Sequence, residues 1–150
     1  MKQFVFAVLT RLSLGAMVMA TGVAHAEVVV VGSKQIPFTQ ISKTKLRDLY
    51  TGQSQLVGDA KVLVIDREDT FDRREQFISR TLGFTSEEFA TVQRLMECIG
   101  ISKAPTVADN SQHMVEMLSN NPNALGYLSR DELENHPLGA KLQHIKVLAE

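Results

Sequence analysis

Two short runs of β-branched and aliphatic residues constrain the fold of this chain more than any other feature. The first is EVVVVG at residues 27–32, and the second is KVLVI at residues 61–65. Neither run alternates apolar with polar residues, which is typical of strands that are buried on both faces of a sheet. Helical patterns lie between and after these runs. The sequence therefore predicts a three-layer α/β domain with a mostly parallel mixed sheet.

Helix start and stop signals divide the remainder of the chain. Ser42 has the position of an N-cap, Gly52 and Gly83 have positions of helix ends, and capping boxes begin at Thr85 and Ser129. The sequence NNPN at residues 120–123 predicts a turn. The predicted helices cover residues 43–50, 71–82, 85–99 and 110–118, with a short helix near 133, and two further strands are predicted at residues 124–128 and 143–148, the last of them antiparallel to its neighbour.

Residues 1–26 have the three parts of a secretory signal peptide. A basic start with Lys2 and Arg11 precedes an apolar run, and the run ends in Ala24-His25-Ala26. The alternative is a membrane anchor, which needs about 20 apolar residues, whereas this run is shorter and contains Gly15. We therefore predict cleavage near Ala26-Glu27, a periplasmic or secreted location, and no membrane insertion of the remaining domain at residues 27–150.

The charge balance excludes one broad class of partner. The chain has 16 Lys and Arg and 17 Asp and Glu, and removal of Lys2 and Arg11 leaves 14 basic against 17 acidic residues. A chain with this slight acidic excess is not attracted to nucleic acid by its overall charge. Local clusters of arginine can still bind a small anion.

The single cysteine, Cys98, gives an exported chain no internal disulfide. We predict that it is a buried small residue on an amphipathic helix, and the alternatives are an intermolecular disulfide and a reactive thiol. The apolar positions of that helix are Phe89, Val92, Leu95, Met96 and Ile99. His113, His136 and His144 are too scattered to indicate a metal site, and no motif indicates a cofactor.

Four motifs occur in order along the chain: TKLRDLYTGQ at residues 44–53, DR at 66–67 with REQF at 74–77, LGF at 82–84, and NNPNALGYL at 120–128. In this order they resemble the phosphate-type periplasmic substrate-binding proteins of ABC transporters. The resemblance implies a periplasmic-binding-protein-like fold of type 2. It covers one lobe, because the glycine-rich loop that begins the other lobe of the family has no counterpart here.

The chain departs from the family where phosphate would bind. Family members that bind phosphate place Ser-Gly-Thr where this chain has Phe71-Asp72-Arg73. The hydroxyl donors are absent, and Asp72 adds a charge that repels anions. Membership of the family would therefore not by itself imply phosphate binding.

The candidate site lies just beyond the second strand, because open α/β sheets bind ligands at the carboxyl ends of their strands. Arg67 is at that end, and the helix beginning near Thr70 offers backbone N–H groups to an anion. The alternative is that Arg73 and Arg74 only pair with Glu68, Asp69 and Asp72. The candidate anion-binding residues are Arg67, Thr70, Arg73, Arg74, Ser33 and Ser129.

Two functions remain open from the sequence. The first is a solute-binding-like domain that binds phosphate or a similar oxyanion for ABC transport or sensing, with a membrane permease or a sensor protein as partner. The second is a non-catalytic interaction module of the envelope that has lost ligand binding and forms a homodimer or contacts another protein. An enzyme is not expected, because no motif places a nucleophile beside a base.

Overall fold

The computed structural model describes residues 26–68, 71–101 and 105–149, and of Phe71 it describes the backbone only. The predicted signal peptide falls outside these ranges except for Ala26, so its cleavage stays a prediction. Within the described residues, no helix has both the length and the apolar character that crossing a membrane requires.

In the described part of the chain, nine short strands form one central sheet and two small two-stranded sheets. In the central sheet the strand order is β6-β5-β7-β1-β8, while β2 pairs with β9 and β3 pairs with β4. The strands are β1 (Val28–Ser33), β2 (Gln40–Ser42), β3 (Leu56–Val57), β4 (Ala60–Lys61), β5 (Leu63–Arg67), β6 (Thr106–Ala108), β7 (Ala124–Ser129), β8 (Leu142–His144) and β9 (Lys146–Leu148).

Four of the five central strands run in one direction and β1 runs in the other. Strands β6, β5 and β7 are parallel neighbours, whereas β1 is antiparallel to both β7 and β8. The predicted mostly parallel mixed sheet is therefore confirmed. The predicted antiparallel last strand is confirmed only for its first part, β8 against β1, because β9 is parallel to β2. One detail was wrong: the closing strand divides at Ile145 into β8 and β9, which pair with different strands.

The helices begin where the capping residues predict. Side-chain oxygens of Ser42, Thr85, Asn110 and Ser129 accept hydrogen bonds from backbone N–H groups of the following helices. The predicted helix over 71–82 has two geometries, because an α-helical turn continues as a π-helical segment over Phe77–Leu82. The α-helices are α1 (Lys43–Thr51), α2 (Phe71–Gln76), α3 (Ser86–Cys98), α4 (Ser111–Asn120) and α5 (Arg130–Asn135).

Apolar side chains cover both faces of the central sheet. Along β1, Val30 packs in one core cluster with α1 and the π-helical segment, while Val29 and Val31 pack in a second cluster with α4. Successive side chains of a strand point to opposite faces. The uninterrupted valine run thus belongs to a strand buried on both sides, which confirms the prediction from its sequence.

The helix α3 is less buried than its apolar spacing predicted. Phe89 is its only buried residue among those described, whereas Leu95 and Ile99 are 53% and 54% exposed. Cys98 is also exposed, so the predicted burial of this thiol was wrong. The reason is that α3 packs on α1 and the π-helical segment through one narrow face. Tyr50 and Tyr127, by contrast, are both fully buried.

Candidate functional site

Five charged residues meet at the carboxyl end of β5, and we call them the strand-end cluster. They come from three separate parts of the chain. Strand β5 contributes its last two residues, α2 contributes two neighbouring arginines, and α5 contributes one glutamate. The members are Asp66, Arg67, Arg73, Arg74 and Glu132.

Arg67 and Glu132 form the central ion pair of this cluster. The Arg67 side chain is 1% exposed, and its two terminal nitrogens donate to the two carboxylate oxygens of Glu132, at 2.9 and 3.3 Å. This two-point geometry is the strongest arrangement between a guanidinium and a carboxylate. A buried guanidinium of this kind needs a partner, because an isolated charge is costly inside a protein. Glu132 therefore has the position that a bound anion would need.

The capping box of α5 fixes the position of Glu132. The Ser129 hydroxyl accepts a hydrogen bond from the Glu132 N–H at 3.2 Å, and Glu132 Oε2 accepts one from the Ser129 N–H at 2.8 Å. Burial alone would raise the pKa of Glu132. The hydrogen bonds from Arg67 and Ser129, with the nearby charges of Arg67 and Arg73, outweigh burial and hold this pKa below its ordinary value.

Arg73 adds charge to the same carboxylate without a hydrogen bond. Its Nε lies 3.4 Å from Glu132 Oε1 but is buried without a hydrogen-bond partner among the described residues. The contact is within the distance of an ion pair, yet its direction is poor for hydrogen bonding. Arg73 thus stabilises the ionised form of Glu132 by proximity.

Asp66 holds the other side of the cluster. Its Oδ2 accepts a hydrogen bond from Arg74 Nε at 3.0 Å and lies 3.0 Å from Arg74 Nη2 in an ion pair. Its Oδ1 accepts from the Tyr127 hydroxyl at 2.6 Å and the Arg67 N–H at 2.8 Å. Burial raises the pKa of Tyr127, and the negative charge of Asp66 raises it further. Burial would lower the pKa of Arg74, but Asp66 raises it overall.

Stacked aromatic rings position the Tyr127 hydroxyl. The ring of Phe77 lies parallel to that of Tyr127 with centroids 4.0 Å apart, and Tyr50 meets Phe77 edge to face at 4.7 Å. Aromatic pairs in these geometries are favourable beyond the area they bury. The Tyr50 hydroxyl donates to the Ile65 carbonyl at 3.1 Å. The cluster is therefore part of the core rather than a mobile surface feature.

The structure brings together some of the predicted anion-binding residues and separates another. Arg67, Arg73, Arg74 and Ser129 lie at one edge of the sheet, since β5 and β7 are parallel. Ser33 ends β1, which runs the opposite way, so it lies at the other edge and its predicted place in this site was wrong. Its hydroxyl instead accepts from the Gln35 N–H. Thr70 lies outside the described residues.

Sequence reasoning missed the partners of the arginines. It considered Glu68, Asp69 and Asp72 as neighbours of Arg73 and Arg74, whereas the ion pairs among the described residues are with Glu132 and Asp66. Glu132 is 65 positions from Arg67 in sequence. Its capping box was visible as a pattern, but that pattern predicts only the bond to the helix backbone. Among the described residues, no group of histidine, cysteine or carboxylate side chains is arranged to hold a metal ion.

Comparison with known proteins supports the fold. No family model and no curated protein matches the chain. Among solved structures, PstS from Borrelia burgdorferi aligns with a TM-score of 0.61 at 21% identity, over 80% of this chain and 46% of that one. An ABC-type phosphate transport receptor from Vibrio cholerae aligns with 0.59 at 21% identity, over 80% and 45%.

A third solved structure, from Clostridium perfringens, was assigned as a phosphate ABC transporter substrate-binding protein and contains bound phosphate. It aligns with a TM-score of 0.58 at 22% identity, over 80% of this chain and 44% of that one. The chain thus spans less than half the length of each of these proteins. Its fold is the mixed α/β fold of a single lobe of a periplasmic binding protein, and identities this low establish the fold alone.

Proposed function

We propose that this chain is a non-catalytic domain of the cell envelope that acts by contacting another protein, and that it does not bind free phosphate at the strand-end cluster. The observation behind this proposal is the Arg67–Glu132 pair. Arg67 is buried, and both of its terminal nitrogens donate to a carboxylate of the same chain. The guanidinium that would recognise an oxyanion is already bound to one.

A free anion would compete poorly with Glu132. A group tethered to the same chain acts at an effective concentration on the order of millimolar or higher. Opening the pair would also expose Glu132, whose capping-box hydrogen bonds with Ser129 would be lost. A single lobe encloses a ligand from one side only, so solvent weakens any new contact. Each consideration favours the closed pair.

Exposed apolar side chains support a role in protein contact. Leu95 and Ile99 lie one turn apart on α3, and Leu56 and Ile101 are 47% and 55% exposed. Exposed apolar patches are typical of interaction surfaces. Leu63, which is 39% exposed, lines a cleft of about 500 Å³ at the beginning of β5.

The second candidate function is binding of phosphate or a similar oxyanion, for ABC transport or sensing, with a permease or a sensor as partner. The names of the solved relatives favour it, since one contains bound phosphate. On this hypothesis the ligand contacts would come from Arg67, Thr70, Arg73, Arg74 and Ser129. Glu132 would have to move away from Arg67 for that anion to enter.

Calorimetric titration with phosphate, combined with light scattering, separates the two candidates. For the interaction module we expect no heat at millimolar phosphate, no rise in melting temperature, and a mass that does not depend on phosphate. A native-state ligand would raise the melting temperature. Phosphate binding that disappears in Arg67→Ala but persists in the exposed control Lys34→Ala would reject the module and support the oxyanion binder.

Export to the periplasm or the exterior is part of the same proposal. The motif ending in Ala24-His25-Ala26 supports cleavage before Glu27. N-terminal sequencing of the protein recovered from the periplasm of an expressing bacterium tests it. A new amino terminus at Glu27 is the expected result, whereas full-length chain retained in the cytoplasm would contradict export.

A further inference from the structure

A second group of basic residues surrounds a groove between β1 and β9, and we call this groove the β-edge wedge. Its volume is about 380 Å³. Its floor includes Val28 and Val30 of β1, and its basic side chains are Lys43, Arg80, His144 and Lys146. These basic residues come from α1, the π-helical segment, β8 and β9, so the fold rather than the sequence brings them together.

The wedge exists because β8 stops pairing with β1 before it reaches Val28, the first residue of β1. β8 pairs with β1 at Val31, and the Ile145 N–H donates to the Val30 carbonyl at 2.9 Å. At the next residue, the Lys146 N–H donates to Thr39 instead, and β9 continues beside β2. The edge of β1 between Val30 and its first residue, Val28, therefore has no strand beside it in the described part of the chain.

Val28 presents its backbone to this open edge. Backbone N–H and C=O groups alternate between the two sides of a strand, so Val28 points the same way as Val30. The carbonyl of Glu27, the residue before Val28, points to the other side, where it accepts from the Arg130 N–H. An unpaired donor and acceptor at a sheet edge are a template for a further strand.

Three of the four basic residues of the wedge have no acidic partner among the described residues. His144 is the exception, since it adds to the lowering of the Glu27 pKa that Arg130 causes. Among the described residues, Lys43, Arg80 and Lys146 form no ion pair, in contrast to Arg67, Arg73, Arg74 and Arg130. Glu27 is the acid that lines the wedge, and its carboxylate holds Arg130 at 2.9 Å. The groove is thus locally positive in a chain whose formal net charge is −1.

We propose that the β-edge wedge binds a short extended segment of a partner protein that carries acidic side chains. The segment pairs its backbone with Val28, and its carboxylates lie near Lys43, Arg80 and Lys146. This inference rests on the proposed role in protein contact and names the class of partner. A free anion offers acceptors alone, whereas the edge at Val28 has both a donor and an acceptor to satisfy. The charges select an acidic segment over a basic one.

The test is an NMR titration of the ¹⁵N-labelled domain with the peptide acetyl-Glu-Val-Glu-Val-Glu-amide. We expect amide shifts at residues 28–30 and 144–147. The variant with Lys43, Arg80 and Lys146 replaced by alanine should bind the peptide about tenfold more weakly. This loss of affinity corresponds to about 1.4 kcal/mol. The matched control replaces the exposed Lys34, Lys61 and Lys141 by alanine, which removes the same charge elsewhere and should leave binding unchanged.

Further arms test the two parts of the proposal separately. The same peptide with N-methylated valines keeps its charge but cannot form the edge hydrogen bonds, so it should bind more weakly. A second control peptide has lysine in place of each glutamate. Equal amide shifts with this basic peptide, with inorganic phosphate or with anionic lipid vesicles would overturn the proposal. Binding that appears only after removal of Glu150, which lies outside the described residues, would show that the chain's own end occupies the wedge and would also overturn it.

The NMR titration tests binding at the wedge separately from the proposed function. Phosphate at the strand-end cluster would shift the amides of Arg67 and Arg74, which lie on β5 and α2. The amide of Ser129 is not used, because Ser129 pairs with Val28 across the sheet. Shifts of the Arg67 and Arg74 amides would reject the proposed function and leave the wedge experiment unaffected. Absence of peptide shifts, with no response to phosphate either, would reject the wedge alone.

Discussion

The strand-end cluster and the β-edge wedge each gather basic side chains from several elements, yet their charges are arranged in opposite ways. At the cluster, Arg67 and Arg74 are hydrogen-bonded to carboxylates of the same chain. At the wedge, Lys43, Arg80 and Lys146 have no ion-pair partner among the described residues. The cluster could be recognised from the sequence as a candidate anion site, whereas the wedge could not, because its basic residues are far apart in the chain.

The difference teaches that the number of cations near a sheet edge says little about binding. Buried charges are paired because an unpaired one is costly, so their partners belong to the fold. Exposed charges that the fold leaves unpaired cost little and remain free to meet a partner. We therefore propose that the cluster stabilises the fold and that the wedge binds a partner protein.

The largest expected effect comes from Arg67→Ala. It leaves the Glu132 carboxylate without its two-point partner and empties a buried space, so we expect a loss of about 3–5 kcal/mol in the free energy of unfolding. Urea denaturation followed by circular dichroism measures it. The matched variant in the wedge, Arg80→Ala, should leave the denaturation midpoint unchanged. Equal losses in the two variants would remove the distinction between the regions.

A somewhat smaller effect is expected for Glu132→Ala, at about 3 kcal/mol, because Arg67 then lacks the carboxylate shown to bind it and α5 loses its capping box. The vacated position would suit a small oxyanion. We expect phosphate to raise the melting temperature of this variant and not that of the wild type. Glu134→Ala, on the exposed part of the same helix, is the control. A variant that phosphate does not stabilise would contradict the view that Glu132 substitutes for an anion.

Most of the fold could be predicted because its signals are local. The capping residues Ser42, Thr85 and Ser129 act within one helical turn, and the valine run of β1 reports burial directly. The exposure of Leu95 and Cys98 could not be predicted, since it depends on whether another element packs against that face of α3. Helical spacing shows that a face is apolar but not that it is covered.

The arginines of the candidate site could be predicted from the sequence, but the carboxylate side chains that pair with them could not. Arg67 follows a recognisable strand, and position at a strand end is readable from sequence. Its pairing with Glu132 and the Asp66–Tyr127 hydrogen bond join residues 65 and 61 positions apart. The reversed direction of β1, which places Ser33 at the far edge, is likewise a property of the topology. No local pattern encodes these long-range relations.

Tyr127→Phe tests the Asp66 side of the cluster and should cost less, about 1.5–3 kcal/mol. The substitution keeps the ring stacked on Phe77 but removes the hydroxyl that donates to Asp66 at 2.6 Å. The control is Tyr50→Phe, which removes a hydrogen bond to the neutral Ile65 carbonyl and should cost about 1 kcal/mol. A Tyr127 effect no larger than that of Tyr50 would mean that the charge of Asp66 adds nothing there.

The smallest expected effect is a pH dependence carried by Glu132. Its pKa is lower in the folded chain than the ordinary value of 4.5, although burial acts in the opposite direction. A carboxyl group with a lowered folded pKa contributes stability that is fully present above its unfolded pKa and disappears as pH falls through the folded pKa. The difference in unfolding free energy between the wild type and Glu132→Gln should therefore be constant near pH 7 and shrink below about pH 4.5.

Glu134→Gln, measured in parallel by urea denaturation at each pH, controls for general acid effects. A difference that stays constant down to pH 2 would mean that the Arg67–Glu132 contact owes its strength to shape rather than charge, and the contrast between the cluster and the wedge would then lose its electrostatic basis.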